Sequence, residues 1–375
     1  MLEQETIDWL KLSLVPEIGP MRGLKLLEKF KSPQAILRAP LRELAQVENV
    51  GKQVAERIVK NREKIDLENQ LKLIEENKVK IIPLVNESYP EQLKATFDPP
   101  LVLFVKGEIK PLDYFSVAIV GTRLASVYGR QMSQKLSGQL VEKGLTVVSG
   151  GARGIDTEAH KTALRAGGRT IAVLGCGLDI TYPSENKRLF EDISKNGALV
   201  SEFPLGTKPD KINFPIRNRI ISGLSLGVVV IEAPFKSGAL ITVRHAIEQG
   251  REVFSVPGEA DKFTSCGTNQ LIRDGAKLVE NAEDILSELQ AVIRARMNEI
   301  KKEKIEEPKK QSIELDLKLN AEEQEVYNLI PEKNTHIDEI ADKSRLKIGK
   351  VFSVLTRLEL KKLIKQLPGK IFARI

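Results

Sequence analysis

The sequence predicts an α/β protein built on a doubly wound, Rossmann-like parallel sheet, with a helical domain before it and a winged helix after it. Three observations predict this. Residues 116 to 295 alternate continuous apolar runs with helical stretches in the rhythm of βαβ units. Residues 5 to 62 repeat one short pattern at a constant offset. Beyond residue 319, three helical patterns precede two short β-like runs, the order of a winged helix-turn-helix.

The chain has 375 residues, enough at roughly 150 per domain for two or three domains. A hydrophobic share of 41% beside 29% charged residues is a globular balance and excludes global disorder. The longest apolar runs, such as 226 to 233, fall far short of a membrane span. Acids stand near the N-terminus where a secretory leader would carry bases. The expectation is a cytoplasmic protein with no membrane insertion. Cys176 and Cys266 form no C-x-x-C pair, so neither a redox motif nor a zinc cluster is expected. Subtracting 51 acidic from 58 basic residues leaves +7, which favours a polyanionic partner.

Along the chain, Ile18-Gly19-Pro20, Gly23 and Leu26-Leu27 recur as Val50-Gly51-Lys52, Ala55 and Ile58-Val59. Each copy sets an apolar residue and a glycine before an amphipathic helix, as helix-hairpin-helix (SAM-like) units do. Such turns offer N–H groups to phosphates, or serve only to pack a small bundle. This domain is placed at 1–65. A lead-in over 65–115 holds short strands at Lys80 to Val85 and Leu101 to Val105, and with it the central domain spans 66–295. The βαβ strands are expected at 117–120, 146–149, 170–174, 198–201, 228–232 and 252–256, their apolar character suiting strands covered on both faces. Residues 296–318 mix bases, acids and a proline and are expected to be a helix tail and flexible linker. The winged helix is placed at 319–375, with helices over 321–330, 337–343 and 347–362 and β-like runs around Pro368-Gly369. Its bases crowd late and its acids early, as suits either duplex binding or a soluble protein-docking module.

In such sheets ligands bind beyond the carboxyl ends of the strands. There the sequence places Gly121-Thr122-Arg123, then Gly150-Gly151-Ala152-Arg153-Gly154-Ile155-Asp156, then Asn186-Lys187 after Tyr182-Pro183. Asn213-Phe214-Pro215-Ile216-Arg217-Asn218-Arg219 and Lys236-Ser237-Gly238 follow. Glycines admit a close approach, helix starts favour anions and the cations fix phosphates. Asn186 and Asn218 either bond to base edges or cap helices, capping being the simpler role. No carboxylate cluster suits metal-assisted cleavage, so no catalytic residue, metal or cofactor is expected. The dinucleotide G-x-G-x-x-G and the ATPase G-x-x-x-x-G-K-[ST] loops are both absent. The three histidines, His160, His245 and His336, read as structural or surface residues, His160 standing nearest a loop of interest.

Seven ordered stretches over about 180 residues resemble the bacterial DNA-processing protein A (DprA/Smf) family. They are Tyr89-Pro90-Glu91-Gln92-Leu93 with Pro99-Pro100; Val120 to Arg123; Ser149 to Asp156 with Ala159-His160; Phe214 to Ser225; Lys236 to Thr242; Val256-Pro257-Gly258; and Gly267 to Ile272. The flanking domains also look like those of that family. The resemblance implies a non-enzymatic homodimer that binds single-stranded DNA without sequence specificity. It further implies loading of a RecA-type recombinase during natural transformation and homologous recombination. By motif position it implies that Arg123, Arg153 and Lys187 hold the DNA backbone, joined by Arg217 and Arg219. Thr122 stands where the family usually has serine and keeps the hydroxyl.

Two other functions remain open at this point. The same fold resembles lysine-decarboxylase-like nucleotide phosphoribohydrolases, marked by P-G-G-x-G-T-x-x-E. Here 234–242 puts Phe235 and Lys236 at the paired glycines and Thr242 at the glutamate, leaving Glu232 or Glu248 to supply a carboxylate. The third is a winged-helix DNA-binding regulator. Aromatic residues are only 5% of the chain, with Tyr182, Phe214 and Phe235 near the loops. Stacking on bases should be sparse and these rings are expected to pack.

Overall fold

The computed structural model describes residues 3–306, 319–330, 335–344, 346, 348–361, 363–367 and 370–374. The chain divides into two compact units, Met1–Gly138 with Leu145–Leu289, and Gln139–Gly144 with Gln290–Ile375.

Six helices open the first unit: α1 (Gln4–Ser13), α2 (Pro20–Phe30), α3 (Pro33–Arg38), α4 (Leu41–Leu44), α5 (Gly51–Arg62) and α6 (Leu67–Glu76). The two copies of the repeat start α2 and α5. In the first, Pro20 takes the opening helical position, where its missing N–H costs nothing. In the second, Gly51 opens the helix at φ 59°, which glycine adopts without strain. Arg22 donates to the backbone oxygens of Glu17 and Asn49, each at 3.1 Å, and so ties the two turns together. Ile18, Leu26, Val50, Ala55 and Ile58 are buried beneath them.

The sheet has nine strands: β1 (Lys80–Pro83), β2 (Val102–Gly107), β3 (Ser116–Val120), β4 (Thr146–Ser149), β5 (Thr170–Val173), β6 (Gly197–Ser201), β7 (Gly227–Val230), β8 (Glu252–Ser255) and β9 (Lys277–Leu278). Their order is β1-β2-β6-β5-β4-β3-β7-β8-β9. From β6 through β9 every pairing is parallel. The six strands expected from the apolar runs are β3 to β8. All residues of β3 to β7 are buried, the physical reason that their sequences do not alternate.

The lead-in strands join this sheet. β1 pairs with β2 antiparallel, and β2 runs antiparallel to β6 with Phe104 opposite Ser201. The N-terminal helices pack on the same core: Leu26, Leu44 and Ile58 belong to one buried cluster with Leu103 and Phe104. Gly23 lies so close to Leu101 that a Cβ there would stand 2.4 Å from Leu101 Cδ1.

The remaining helices are α7 (Glu91–Lys94), α8 (Val127–Glu142), α9 (Ile155–Arg165), α10 (Lys187–Asn196), α11 (Asn213–Gly223), α12 (Gly238–Glu248), α13 (Cys266–Arg273) and α14 (Ala282–Glu306). Successive strands step outward from β3 to β6, then return to β7 on the other side of β3. The carboxyl ends of β3 and β7 therefore flank the topological switch point. Helix α14 continues to Glu306, through residues read from sequence as linker. Glu, Lys, Arg, Ala and Ile hold a helix well, and neither Gly nor Pro interrupts them before Pro308. The rest of that linker, 307–318, lies outside the described residues.

In the second unit α15 (Ala321–Leu329), α16 (Ile337–Lys343) and α17 (Ile348–Leu360) pack with a sheet of β10 (Thr335–His336), β12 (Ile371–Arg374) and β11 (Ile364–Leu367), in that order. Val326, Ile340, Val354, Leu358 and Phe372 fill its core. Asn320 and Glu323 form a reciprocal capping box at the start of α15. The acids and bases that the sequence segregates meet here. Lys350 pairs with Glu322 and Lys361 with buried Glu323, each at 2.5 Å. No described helix is long and apolar enough to cross a membrane.

Close packing at β6 makes one test of this architecture. A Cβ on Gly197 would stand 1.9 Å from the Thr170 oxygen, whereas one on Gly19 would meet nothing within 4 Å. Gly197→Ala is expected to lower stability in urea titrations by about 1–3 kcal/mol, and Gly19→Ala to leave it nearly unchanged.

Candidate nucleic-acid interface

The parallel strands β3 to β8 all deliver their following loops to one edge of the sheet. What shapes those loops is a buried arginine. Arg217, one turn into α11, donates from Nη1 to the Gly150 oxygen at 2.6 Å and also to the Val173 oxygen. It thereby clamps the loop after β4 to the end of β5. Asp156, buried in the first turn of α9, accepts from the N–H groups of Gly150 at 3.1 Å and Ala152 at 3.3 Å. Burial raises the Asp156 carboxyl pKa while Arg217 opposes the rise. Burial lowers Arg217 to about 10, opposed by Asp156, so the guanidinium stays charged at neutral pH.

The loop so held is compact. Gly154 has φ 75°, and a Cβ on it would stand 2.4 Å from the Thr122 oxygen, so only glycine fits. The Ile155 N–H donates to Thr122 O at 3.3 Å and the Thr122 N–H to Glu232 O at 2.8 Å, which joins the loops after β3, β4 and β7. Asn186 lies at the start of α10 without capping it. Its Nδ2 donates to Gly151 O at 3.0 Å and Thr157 Oγ1 at 2.8 Å, fixing the position from which Lys187 projects. Asn218 likewise caps nothing and donates to Gly238 O at 3.1 Å. The Ser237 hydroxyl accepts from the Ala239 N–H and caps α12.

The cations fall into two groups. Arg123, Lys187 and Lys236 are exposed and form no ion pair among the described residues. The Arg123 guanidinium carbon lies 5.2 Å from the centre of the Phe214 ring, which stacks on Tyr182. Arg153 is exposed too, but Glu185 binds it through two contacts, one of them at 3.2 Å. Arg217 and Arg219, expected from sequence to face DNA with the others, are instead buried with internal partners. Arg219 pairs with Glu202 and, at 3.3 Å, with Asp98. A guanidinium so engaged has no free face for a phosphate, and its role here is to position the loops.

Neither carboxylate left open for glycosidic chemistry is placed to act. Glu232 is buried, accepting from the Ser126 hydroxyl at 2.7 Å, the Ser126 N–H at 2.9 Å and the Thr264 hydroxyl at 3.2 Å. Glu248 ends α12, ten residues after Gly238 at the helix start, and contacts His245. His160 is buried against the Thr170 hydroxyl at 2.7 Å, and burial lowers its pKa to about 3, so it is neutral. Among the described residues no group of His, Cys, Asp and Glu could hold a metal ion.

Sequence reasoning missed Glu185 as the partner of Arg153, Asp156 as the brace under the loop, and the Tyr182–Phe214 stack. The one available signal was for Arg217. It sits among Ile216, Ile220 and Ile221 on a short helix, where a solvated arginine would be out of place.

The family model described as DNA recombination-mediator protein A matches residues 80–290, more than half of the chain. The chain belongs to this DprA/Smf family. A DprA winged helix domain matches 308–370, and a SAM-like helix-hairpin-helix tandem matches 10–63. Protein Smf of Synechocystis is 35% identical over the whole length of both chains. Protein Smf of Escherichia coli is 41% identical, covering 81% of this chain and 79% of its own. The structure of DNA processing protein A from Streptococcus pneumoniae superposes with a TM-score of 0.67 at 36% identity, covering 76% of this chain and 99% of that one. That from Helicobacter pylori, described for its single-stranded DNA binding mode, gives 0.52 at 32% identity over 57% and 96%.

Two outcomes are expected at these residues. Glu185 holds Arg153 in an exposed ion pair, so if Arg153 serves a phosphate, Glu185→Gln should tighten the binding of a single-stranded oligonucleotide about two- to five-fold, the worth of such a pair, in anisotropy titrations. Burial pushes the Glu202 carboxyl up to about 7, against the pull of Arg219, from 4.5 in the unfolded chain. The native state then keeps a proton that the unfolded chain releases, so stability falls as pH rises from 4.5 through 7. Urea titrations from pH 5 to 8 should show that fall in the wild type relative to Glu202→Gln.

Proposed function

We propose that this protein binds single-stranded DNA without sequence specificity over the carboxyl ends of β3 to β7. We propose further that, as a cytoplasmic homodimer, it loads a RecA-type recombinase onto that strand in natural transformation and homologous recombination. The observation that carries the first part is the division of the cations. Arg123, Lys187 and Lys236 project into solvent beside glycine loops, while Arg217 and Arg219 are engaged within the protein. Such a surface holds phosphates and reads no base edges. The engagement of Glu232 and the distance of Glu248 favour binding over hydrolysis. Support for the partner comes from family membership, and support for the strand from the Helicobacter pylori relative. Dimerisation would double the grip through local concentration.

Anisotropy titrations of a labelled oligonucleotide at several salt concentrations test this. Affinity should fall steeply with salt, with a log–log slope of about −0.7 per phosphate neutralised. Arg123→Ala with Lys187→Ala should abolish most binding while the melting temperature stays unchanged. Binding confined to one duplex sequence and indifferent to the double substitution would favour a winged-helix regulator.

A further inference from the structure

One buried carboxylate gathers three segments that lie far apart in the sequence. Glu232 accepts from the Ser126 N–H at 2.9 Å, the Ser126 hydroxyl at 2.7 Å and the Thr264 hydroxyl at 3.2 Å. The Tyr128 hydroxyl donates to Pro257 O at 2.7 Å and the Gly267 N–H to Ala233 O at 2.8 Å, which draws the same segments closer. Each of the three turns large apolar side chains to water. Leu124 is 86% exposed, Val127 63%, Phe235 61% and Phe263 74%. Phe235, expected from sequence to pack, does not. Single exposed apolar residues need no explanation, but here several are held together on a braced surface, as at a docking site. The rim is cationic. Arg123, Arg130 and Lys236 are exposed and form no ion pair among the described residues. On the Phe263 turn Lys262 pairs with Glu259 at 3.7 Å, which leaves Asp261 as the one exposed carboxylate of 122–130, 232–238 and 259–266 without an ion pair among the described residues.

We infer that this patch docks an acidic amphipathic segment of a partner protein, its apolar side chains seated on Leu124, Val127 and Phe263 and its carboxylates on Arg123, Arg130 and Lys236. Aliphatic side chains such as Leu124 and Val127 have no π-face to stack on a base, and they suit the apolar stripe of another protein. The unpaired cations around them select an acidic stripe and repel a basic one. One consequence rests on the single-strand reading above. Arg123 and Lys236 also belong to the phosphate grip, so the partner and the strand compete for the same two charges, and docking of one releases the other.

The test uses the full chain and a labelled synthetic helix of glutamates and alanines that carries leucine and phenylalanine along one face. Wild type should bind it in anisotropy titrations, and should bind a version with serine at those apolar positions about ten-fold or more weakly. Unlabelled single-stranded oligonucleotide should displace the peptide. Val127→Ser with Phe263→Ser removes two exposed side chains. That variant should lose about ten-fold or more in peptide affinity and keep the oligonucleotide affinity and melting temperature of wild type. Failure to bind either peptide, equal binding of the two, or no loss in the variant would overturn the docking surface. So would a loss of oligonucleotide rather than peptide binding, which would give the patch to the strand. A lighter species of the variant in sedimentation, with peptide binding unchanged, would give it to a second copy of the chain and overturn the inference equally. Peptide and oligonucleotide bound together without displacement would overturn the competition. Peptide binding by a wild type that binds no oligonucleotide would overturn the single-strand reading and leave the docking surface standing.

Discussion

The guanidinium of Arg217 is the interaction on which the rest of the binding edge depends. Removing an isolated cation from water costs several kcal/mol, and here that cost is offset by two backbone oxygens from neighbouring strand ends and by Asp156 across the loop. A lysine could not substitute well, because the planar fork of arginine reaches separate acceptors with fixed geometry. Helix α11 carries this arginine between Phe214 and Arg219. One short helix thus sets the ring behind Tyr182, the clamp on the glycine loop and the ion pairs to Glu202 and Asp98.

That arrangement separates enclosed from displayed cations among residues of the same chemistry. Cations that fix the loops are buried and paired, and those that remain exposed sit on the loops so fixed. Phosphates are held without reference to sequence when charges are displayed on a rigid backbone and base edges are left unread. In the second unit Lys350 of α17 and Lys361, just beyond that helix, are paired with glutamates of α15. Charge that looks available for a duplex in the sequence is there partly internal.

Much of this was legible in the sequence because its causes are local. Strands covered on both faces must be largely apolar, so β3 to β7 announce themselves, and the glycines and capping residues mark the loops after them. Pairing at a distance is not local. Nothing in 102–107 says that this strand lies antiparallel against 197–201, far downstream. The same limit hid the fate of the arginines. Arg123 and Arg217 both follow loop-forming residues, and only tertiary burial distinguishes a cation that faces water from one enclosed beneath a glycine loop. Asn186 and Asn218 look like caps in sequence but act as cross-ties, because their acceptors belong to other loops.

Amide hydrogen exchange with and without a single-stranded oligonucleotide tests the central claim most directly, since it reports where the strand lies without any substitution. The account requires slowed exchange at 121–124, 150–154 and 182–188, with the opposite strand ends at 166–170 and 250–252 unchanged. Protection confined to the helical repeat at 18–62 or to the winged helix, with none at those three loops, would contradict it.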